Sequence, residues 1–233
     1  MDTNNGATKL IKDGQRIRVN GTTAFSIGAN HVAIYPFVDF TLTNSTIKPM
    51  GKQEKLKLLD DITLYCQTIG YVRDSIWTFS NTPSAKYSSM MRDNFLGFGC
   101  SATTLLRDQF KINTFSVTEY QKRIDNNTLP TSLTLHFTKC QRMIYYLFWT
   151  AYSTKVNSQE FEDFFGVPLK KIYGFELWIA KKLGFAIEER GIYRMTLKGA
   201  FYYHYYENYY TLAYIDKIWG IMRHEAFPKE IIM

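Results

Sequence analysis

The apolar positions of the chain change period several times. A polar opening gives way at 31–42 to "HVAIYPFVDFTL". There Val32, Ile34, Tyr35, Phe37, Val38 and Phe40 predict a buried strand running out near Pro36 into a loop. "GKQEKLKLLDDITLYCQTIGY" then carries Leu56, Leu59, Ile62, Cys66 and Ile69 at spacings of three or four, one face of a helix, with Gly70 placed to stop it. "YVRDSIWTF" reads as a further strand. Residues 30–80 therefore predict strand–helix–strand, the unit that builds a parallel sheet through a crossover helix.

After a polar stretch at 80–94 comes "NFLGFGCSATTLL", two glycines one apart following an apolar run. "SVTEYQKRI" begins a helix, with Ser116 and Glu119 spaced as a capping box. Beyond Pro130 the texture becomes helical. Thr138 and Gln141 form a second capping-box pair, Asn157 or Ser158 starts a short helix ended by Gly166, and Pro168 opens a helix closed by Gly184 and interrupted by Gly174. "FAIEERGIYRMT" predicts a hairpin turning at Glu189–Gly191, and the tyrosine-rich "LKGAFYYHYYENYYTLAYIDKIWGIM" a long final helix. Three helices, a hairpin and a helix make a winged-helix-like order. The reading divides the chain into a poorly defined segment 1–29, an α/β portion 30–129 and a mostly helical portion 130–233.

Composition adjusts this picture modestly. With 233 residues, 45% of them apolar, the chain can bury a real core, and a net charge of +7 permits an anionic partner without demanding one. Cys66, Cys100 and Cys140 cannot all pair, and no CxxC or CxxxCxxC occurs. A disulfide framework and a structural zinc site are thus unsupported, and a reducing cytoplasm is the expected compartment. No secretory h-region opens the sequence, and "MIYYLFWTAY" is about half the length a bilayer crossing needs, so no membrane partner is expected.

The candidate chemistry is sparse. Gly97, Gly99 and Ala102 approach a dinucleotide fingerprint, but no acidic residue follows at a second strand end and no Gly-Lys-Ser/Thr occurs. A strand-end bend is the favoured reading, in which the glycines bring backbone close to another strand or to a ligand. His31, His136, His204 and His224 occupy four separate segments, and a structural role is expected for His204 among its tyrosines. Cys66 reads as core, Cys140 as a buried residue in a first helical turn, and Cys100 as the cysteine whose backbone could approach a ligand. Tyr203, Tyr206, Tyr210 and Tyr214 predict an aromatic core face or interdomain surface. Lys170, Lys171, Lys181, Lys182, Arg190, Arg194 and Lys198 lie where a nucleic-acid reader would contact phosphates, but Glu176, Glu188 and Glu189 interrupt them, so nucleic acid is disfavoured.

In order and spacing, "IYPFVDF", "GYVRDSIWTFSN", "YSSMMRDNFLGFGCSATTLL", "INTFSVTEYQKRI" and "LGFAIEERGIYRMTLKGAFYYHYYENY" resemble the C-terminal half of the oxygen-independent coproporphyrinogen III oxidase family of radical SAM enzymes. Gly97, Gly99, Ser101 and Ala102, then Asn113 and Tyr120, match its Gly-x-Gly segment and the Asn and Tyr that follow. The resemblance implies an α/β fold: the C-terminal part of a radical SAM partial (β/α) barrel, then a winged-helix-like accessory domain covering the substrate. It implies S-adenosylmethionine and a [4Fe–4S] cluster as cofactors, and oxidative decarboxylation of a tetrapyrrole propionate. Tyr35 and Pro36 at the strand mouth, and Gly99, Ser101, Ala102 and Thr103 in the glycine segment, become candidates for lining the S-adenosylmethionine pocket. Arg73, Arg92 and Arg107 become candidate partners for substrate carboxylates.

The chain departs from the family in lacking the CxxxCxxC that holds the cluster. No metal ligand and no catalytic residue are assigned to it. A truncated frame, one half of a split enzyme needing an N-terminal partner, or a degenerate relative each account for this, with truncation expected and with no activity expected of the chain alone. A winged-helix nucleic-acid-binding protein is the alternative.

Overall fold

A computed structural model describes residues 29–34, 51–82 and 94–229, the side chains of 208–216 excepted. These residues fall into two compact units, one comprising 29–34 and 51–82, the other 94–229.

In the first unit, strand β1 (His31–Ala33) is followed by helix α1 (Lys52–Thr68) and strands β2 (Val72–Arg73) and β3 (Thr78–Ser80). Helix α1 starts where the Glu54 carboxylate accepts the Gly51 N–H at 2.8 Å. It ends at Gly70, whose φ of +81° suits glycine and lets Tyr71 N–H return to the Cys66 carbonyl. The predicted strand "YVRDSIWTF" is instead a hairpin. It breaks at Asp74–Trp77, where Asp74 N–H bonds the Thr78 carbonyl at 2.9 Å and the Ser75 and Thr78 hydroxyls meet at 2.7 Å.

The sheet order is β1-β3-β2, with β3 antiparallel to both neighbours. The parallel-sheet expectation is corrected accordingly. β1 and β2 do point the same way across α1, but β3 folds back between them and takes all the pairing. As the central strand, β3 is buried on both faces, and Phe79 packs with Val32, Cys66 and Tyr71.

The second unit begins with a three-stranded antiparallel sheet of β4 (Thr103–Leu106), β5 (Gln109–Asn113) and β6 (Thr131–His136), with α2 (Val117–Asp125) between β5 and β6. Alternation along β5 sends Phe110 and Ile112 inward while Gln109, Lys111 and Asn113 stay half-buried. β6 went unread in the sequence, and it pairs with β5 across the Pro130 position.

Helices α3 (Lys139–Tyr152), α4 (Ser158–Phe165) and α5 (Leu169–Lys182) follow, with β7 (Lys155–Asn157) between the first two; then come β8 (Ala186–Glu189) and β9 (Ile192–Met195). The helix ends match the sequence signals. Thr138 and Gln141 close a reciprocal capping box on α3, and Asn157 Oδ1 accepts from Gln159 and Glu160 at the start of α4. Gly166 ends α4 at φ +69°. The break in α5 is at Tyr173, whose φ of −121° departs from the helix just before Gly174. β8 and β9 form the expected hairpin over Arg190–Gly191, and β7 pairs with β9 to give the order β7-β9-β8.

The chain closes with α6 (Leu197–Tyr214), a π-helical turn (Ile215–Trp219) and α7 (Gly220–His224). The extra residue in each π turn rotates the following side chains, and Ile218 and Met222 pack against Leu105, Phe110 and Ile112. A second cluster joins α3, α4, α5 and β9 through Met143, Tyr146, Phe161, Leu169 and Tyr193. Among the described residues no helix is long and apolar enough to cross a membrane.

Candidate functional site

The glycine segment runs onto β4 instead of into a helix. Phe95 and Leu105 exchange backbone hydrogen bonds at 2.8 and 2.9 Å, so residues 94–95 lie alongside β4. Gly97 crosses that strand so closely that a Cβ would stand 2.1 Å from the Thr103 carbonyl oxygen. Its N–H bonds Thr104 Oγ1 at 3.0 Å. The chain then turns sharply through Gly99 at φ +108° and Ser101 at φ +59°. The turn returns to β4 with Ser101 N–H on the Thr114 carbonyl and Asn113 N–H on the Ala102 carbonyl, both at 2.9 Å. A phosphate-cradling loop is thereby ruled out for this segment, because no helix N-terminus follows it. It is a strand-end bend.

Around that bend the structure assembles residues far apart in sequence. Asn113 Nδ2 donates to the Gly99 carbonyl at 2.9 Å, and Gly99 N–H donates to the Tyr120 hydroxyl at 3.2 Å. Cys100 Sγ reaches the Thr114 carbonyl at 3.1 Å, and Thr114 is fully buried, its hydroxyl taking the Ser116 N–H. Ser116 in turn caps α2, which carries Tyr120. The hydrogen bonds thus fix the bend from three sides. On the remaining side, apart from the neighbouring Phe98 and Cys100, no atom of the described residues lies within 4 Å of where a Gly99 Cβ would stand, and Ser101 is exposed.

Of the six predicted pocket residues, Gly99, Ser101, Ala102 and Thr103 are together in this bend, with Thr103 already paired to Ile112 as the first residue of β4. Tyr35 and Pro36 lie outside the described residues, as does Arg92. Arg73 is engaged elsewhere, its guanidinium donating to Thr63 Oγ1 and lying 5.6 Å from the Phe79 ring centroid, and burial lowers its pKa. Arg107 is at the turn between β4 and β5, at the opposite end of the four-residue strand β4 from the Gly99 bend.

Cys66 is buried, as expected, and burial pushes its thiol up to about 11 against the pull of Arg73. Cys140 is exposed, correcting the expectation of burial: it precedes the inward-facing Arg142 and Met143 on the first turn of α3. His204 is buried, with Nδ1 3.3 Å from Glu207. The tyrosine face divides. Tyr203 packs on Phe148 and Tyr152, whereas Tyr205 and Tyr206 are exposed, and the side chains of Tyr210 and Tyr214 lie outside the described residues.

Three of the seven cations of the basic stripe, Lys170, Lys181 and Arg194, are spent on ion pairs. Glu188 takes Lys170 at 2.7 Å and Lys181 at 2.6 Å, and Arg194 lies 3.6 Å from Glu189. Sequence reasoning missed a further feature, the burial of Arg142 among aromatic rings. Its signal was an arginine three and four residues before Tyr145 and Tyr146 on an otherwise apolar helix face.

The three cysteines do not fit an iron–sulfur cluster. One is buried in the first unit, one is tied to the Thr114 carbonyl and one is exposed on α3. Among the described residues no three His, Cys, Asp or Glu side chains are grouped to hold a metal ion.

No protein-family model and no curated protein sequence matches the chain. A solved structure that it resembles is coproporphyrinogen III oxidase (HemN) from Escherichia coli, described as a radical SAM enzyme, at 14% identity and a TM-score of 0.50. The match covers 67% of this chain and 40% of that one, so the chain spans about two-fifths of its neighbour's length. The likeness is one of fold: mixed α/β, similar to that of a radical SAM protein over two thirds of the chain.

Proposed function

We propose that the chain is the C-terminal portion of a radical SAM-type oxidoreductase acting on a tetrapyrrole, in which the Gly99–Thr103 bend forms one wall of the S-adenosylmethionine pocket. The observation that carries this reading is the convergence of Gly99, Asn113 and Tyr120. These residues carry the family resemblance, and they meet in two hydrogen bonds on the Gly99 main chain, one to its N–H and one to its carbonyl. The open side at Gly99, with Ser101 beside it, supplies accessible main chain against which an adenosyl or methionyl group can lie. Residues 130–233 then read as a winged-helix-like accessory domain, a reading favoured by the order helix, strand, two helices and hairpin with β9 central, and 30–129 as the barrel portion, in which, among the described residues, only β1 and β2 run parallel, on either side of β3.

Bound to a cluster reduced by one external electron, S-adenosylmethionine would supply one-electron radical chemistry. The thiolates for that cluster do not come from Cys66, Cys100 and Cys140, so this reading assigns them to a polypeptide segment other than these 233 residues. What the chain itself contributes is a rigid surface that orients the cofactor.

Calorimetric titration of S-adenosylmethionine into the chain, alone and mixed with a cluster-bearing radical SAM half, tests this. Saturable binding that Asn113→Ala weakens is expected, together with no stoichiometric iron and sulfide after anaerobic reconstitution of the chain alone. Absence of binding in both titrations rejects the pocket, and a stoichiometric cluster on the chain alone rejects the division of labour.

A nucleic-acid reader is the second reading, favoured by the same helix–hairpin order. The lysines clamped on Glu188 and the exposed, stacked Phe175 and Trp178 on α5 weigh against it. Salt-dependent binding of duplex DNA to the full chain would restore it.

A further inference from the structure

At the turn of the β4–β5 hairpin, at the far end of β4 from Gly99, a shallow open cavity of about 430 Å³ lies between that turn, Asn94, the start of α3 and the end of α4. This is within the size range of small-molecule sites, roughly 300–1,000 Å³. Its fixed element is Arg142, only 4% exposed. Nε of Arg142 donates to the Arg107 carbonyl at 2.8 Å, and its guanidinium carbon lies 5.1 Å from the Phe164 ring centroid and 5.7 Å from that of Tyr145. A buried guanidinium is costly, and this one is held in place by a carbonyl and two π-faces.

Two more cations, Arg107 and Lys139, line the same cavity and are exposed. Neither makes an ion pair among the described residues. Asp108 is the acid in the lining and is paired with neither of them. Three cations against one carboxylate leave the wall positive, and Lys139 stands at the positive end of α3. Phe137 and Phe164 supply apolar wall, and Phe164 is 38% exposed beside the opening.

We propose that this cavity binds a small organic monoanion, a carboxylate carried on a planar or apolar body. The carboxylate meets Arg107 and Lys139 over the fixed charge of Arg142, and the body lies against Phe137 and Phe164. Asp108 at the wall disfavours a compact dianion such as phosphate, which brings charge without apolar surface. The site stands apart from the Gly99 bend and needs no cofactor there.

The test is calorimetric titration of the full chain with three probes: 2-naphthoate, the uncharged 2-naphthalenemethanol and inorganic phosphate. Saturable binding of naphthoate is expected, with the other two at least about tenfold weaker. The double variant Arg107→Asn, Lys139→Gln should weaken naphthoate on the order of tenfold or more. It should fold normally, because both side chains are exposed, Asn tolerates the φ of +54° at Arg107, and the carbonyl that Arg142 uses is retained. Phe164→Leu should also weaken naphthoate while leaving phosphate unchanged. Failure of naphthoate to saturate, equal binding of the neutral alcohol, or an unchanged affinity in the folded double variant would overturn the site. Phosphate binding as tightly as naphthoate would overturn the assignment to a carboxylate.

Discussion

The Tyr120 hydroxyl accepts the N–H of Gly99 at 3.2 Å, joining a helix to a bend 21 residues earlier in the chain. The Gly99 carbonyl is held from the other side by Asn113, so the two successive peptide groups that flank the Gly99 Cα are each pinned. Tyr120→Phe and Asn113→Ala should each lower stability by about 0.5–1.5 kcal/mol, and the double variant should lose less than the sum, because both act on the same bend. Urea unfolding of the four proteins measures this, and strict additivity would mean that the two bonds do not share one rigid element.

Gly97 and Gly99 are glycines for different reasons, and substitution separates them. At Gly97 an added Cβ meets the Thr103 carbonyl at 2.1 Å, so Gly97→Ala must push backbone away from β4, at a cost of about 1–3 kcal/mol or more. At Gly99 there is room, but φ is +108°, and Gly99→Ala should cost about 1–2 kcal/mol through backbone strain. Gly97→Ala should also speed amide exchange at Phe95 and Leu105, whose bonds it parts, whereas Gly99→Ala should leave them protected.

Glu188 gives the protein an acid-sensitive link between α5 and the β8–β9 hairpin. Hydrogen bonds from Lys170 and Lys181 hold its carboxyl at about 2, below the ordinary value of 4.5. A lowered folded pKa means that the unfolded chain binds the proton first. The stabilisation is therefore complete above about pH 4.5 and is lost as the pH falls toward 2. Glu188→Gln should flatten the acid limb of the stability profile in that window and leave less for salt to screen. An acid limb identical to that of the parent protein would show that the link contributes nothing.

Cys66 should behave in the opposite sense at alkaline pH. Burial raises its folded pKa from 9.0 to about 11, so the unfolded chain loses the proton first and stability declines as the pH rises between those values. Cys66→Ala should remove that part of the decline. In thiol titration of the native protein, the exposed Cys140 should react rapidly and Cys66 only after unfolding.

Local signals were legible wherever a short stretch settles its own hydrogen bonds. The capping box of Thr138 and Gln141, the Asn157 cap, the Gly166 stop and the hairpin at Arg190–Gly191 all follow from neighbouring residues. The family resemblance likewise named Gly99, Asn113 and Tyr120 before their contact was known. Pairing partners were not legible, because strand order is set by which apolar faces find each other across the chain. Hence β3 inserts antiparallel between β1 and β2, and β6, unread as a strand, completes the sheet that carries the candidate site.

The sequence by itself determined the caps of α3 and α4, the Arg190–Gly191 hairpin turn and the lack of a cluster-binding cysteine motif, since these depend on residues within a few positions of one another. Only the tertiary structure decided that Phe95 folds back onto Leu105 of β4 within "NFLGFGCSATTLL", that Asn113 and Tyr120 close on Gly99, and that Arg142 lies buried between rings beside Arg107. Each of these rests on contacts over long sequence separations, and a one-residue shift in strand register would undo them.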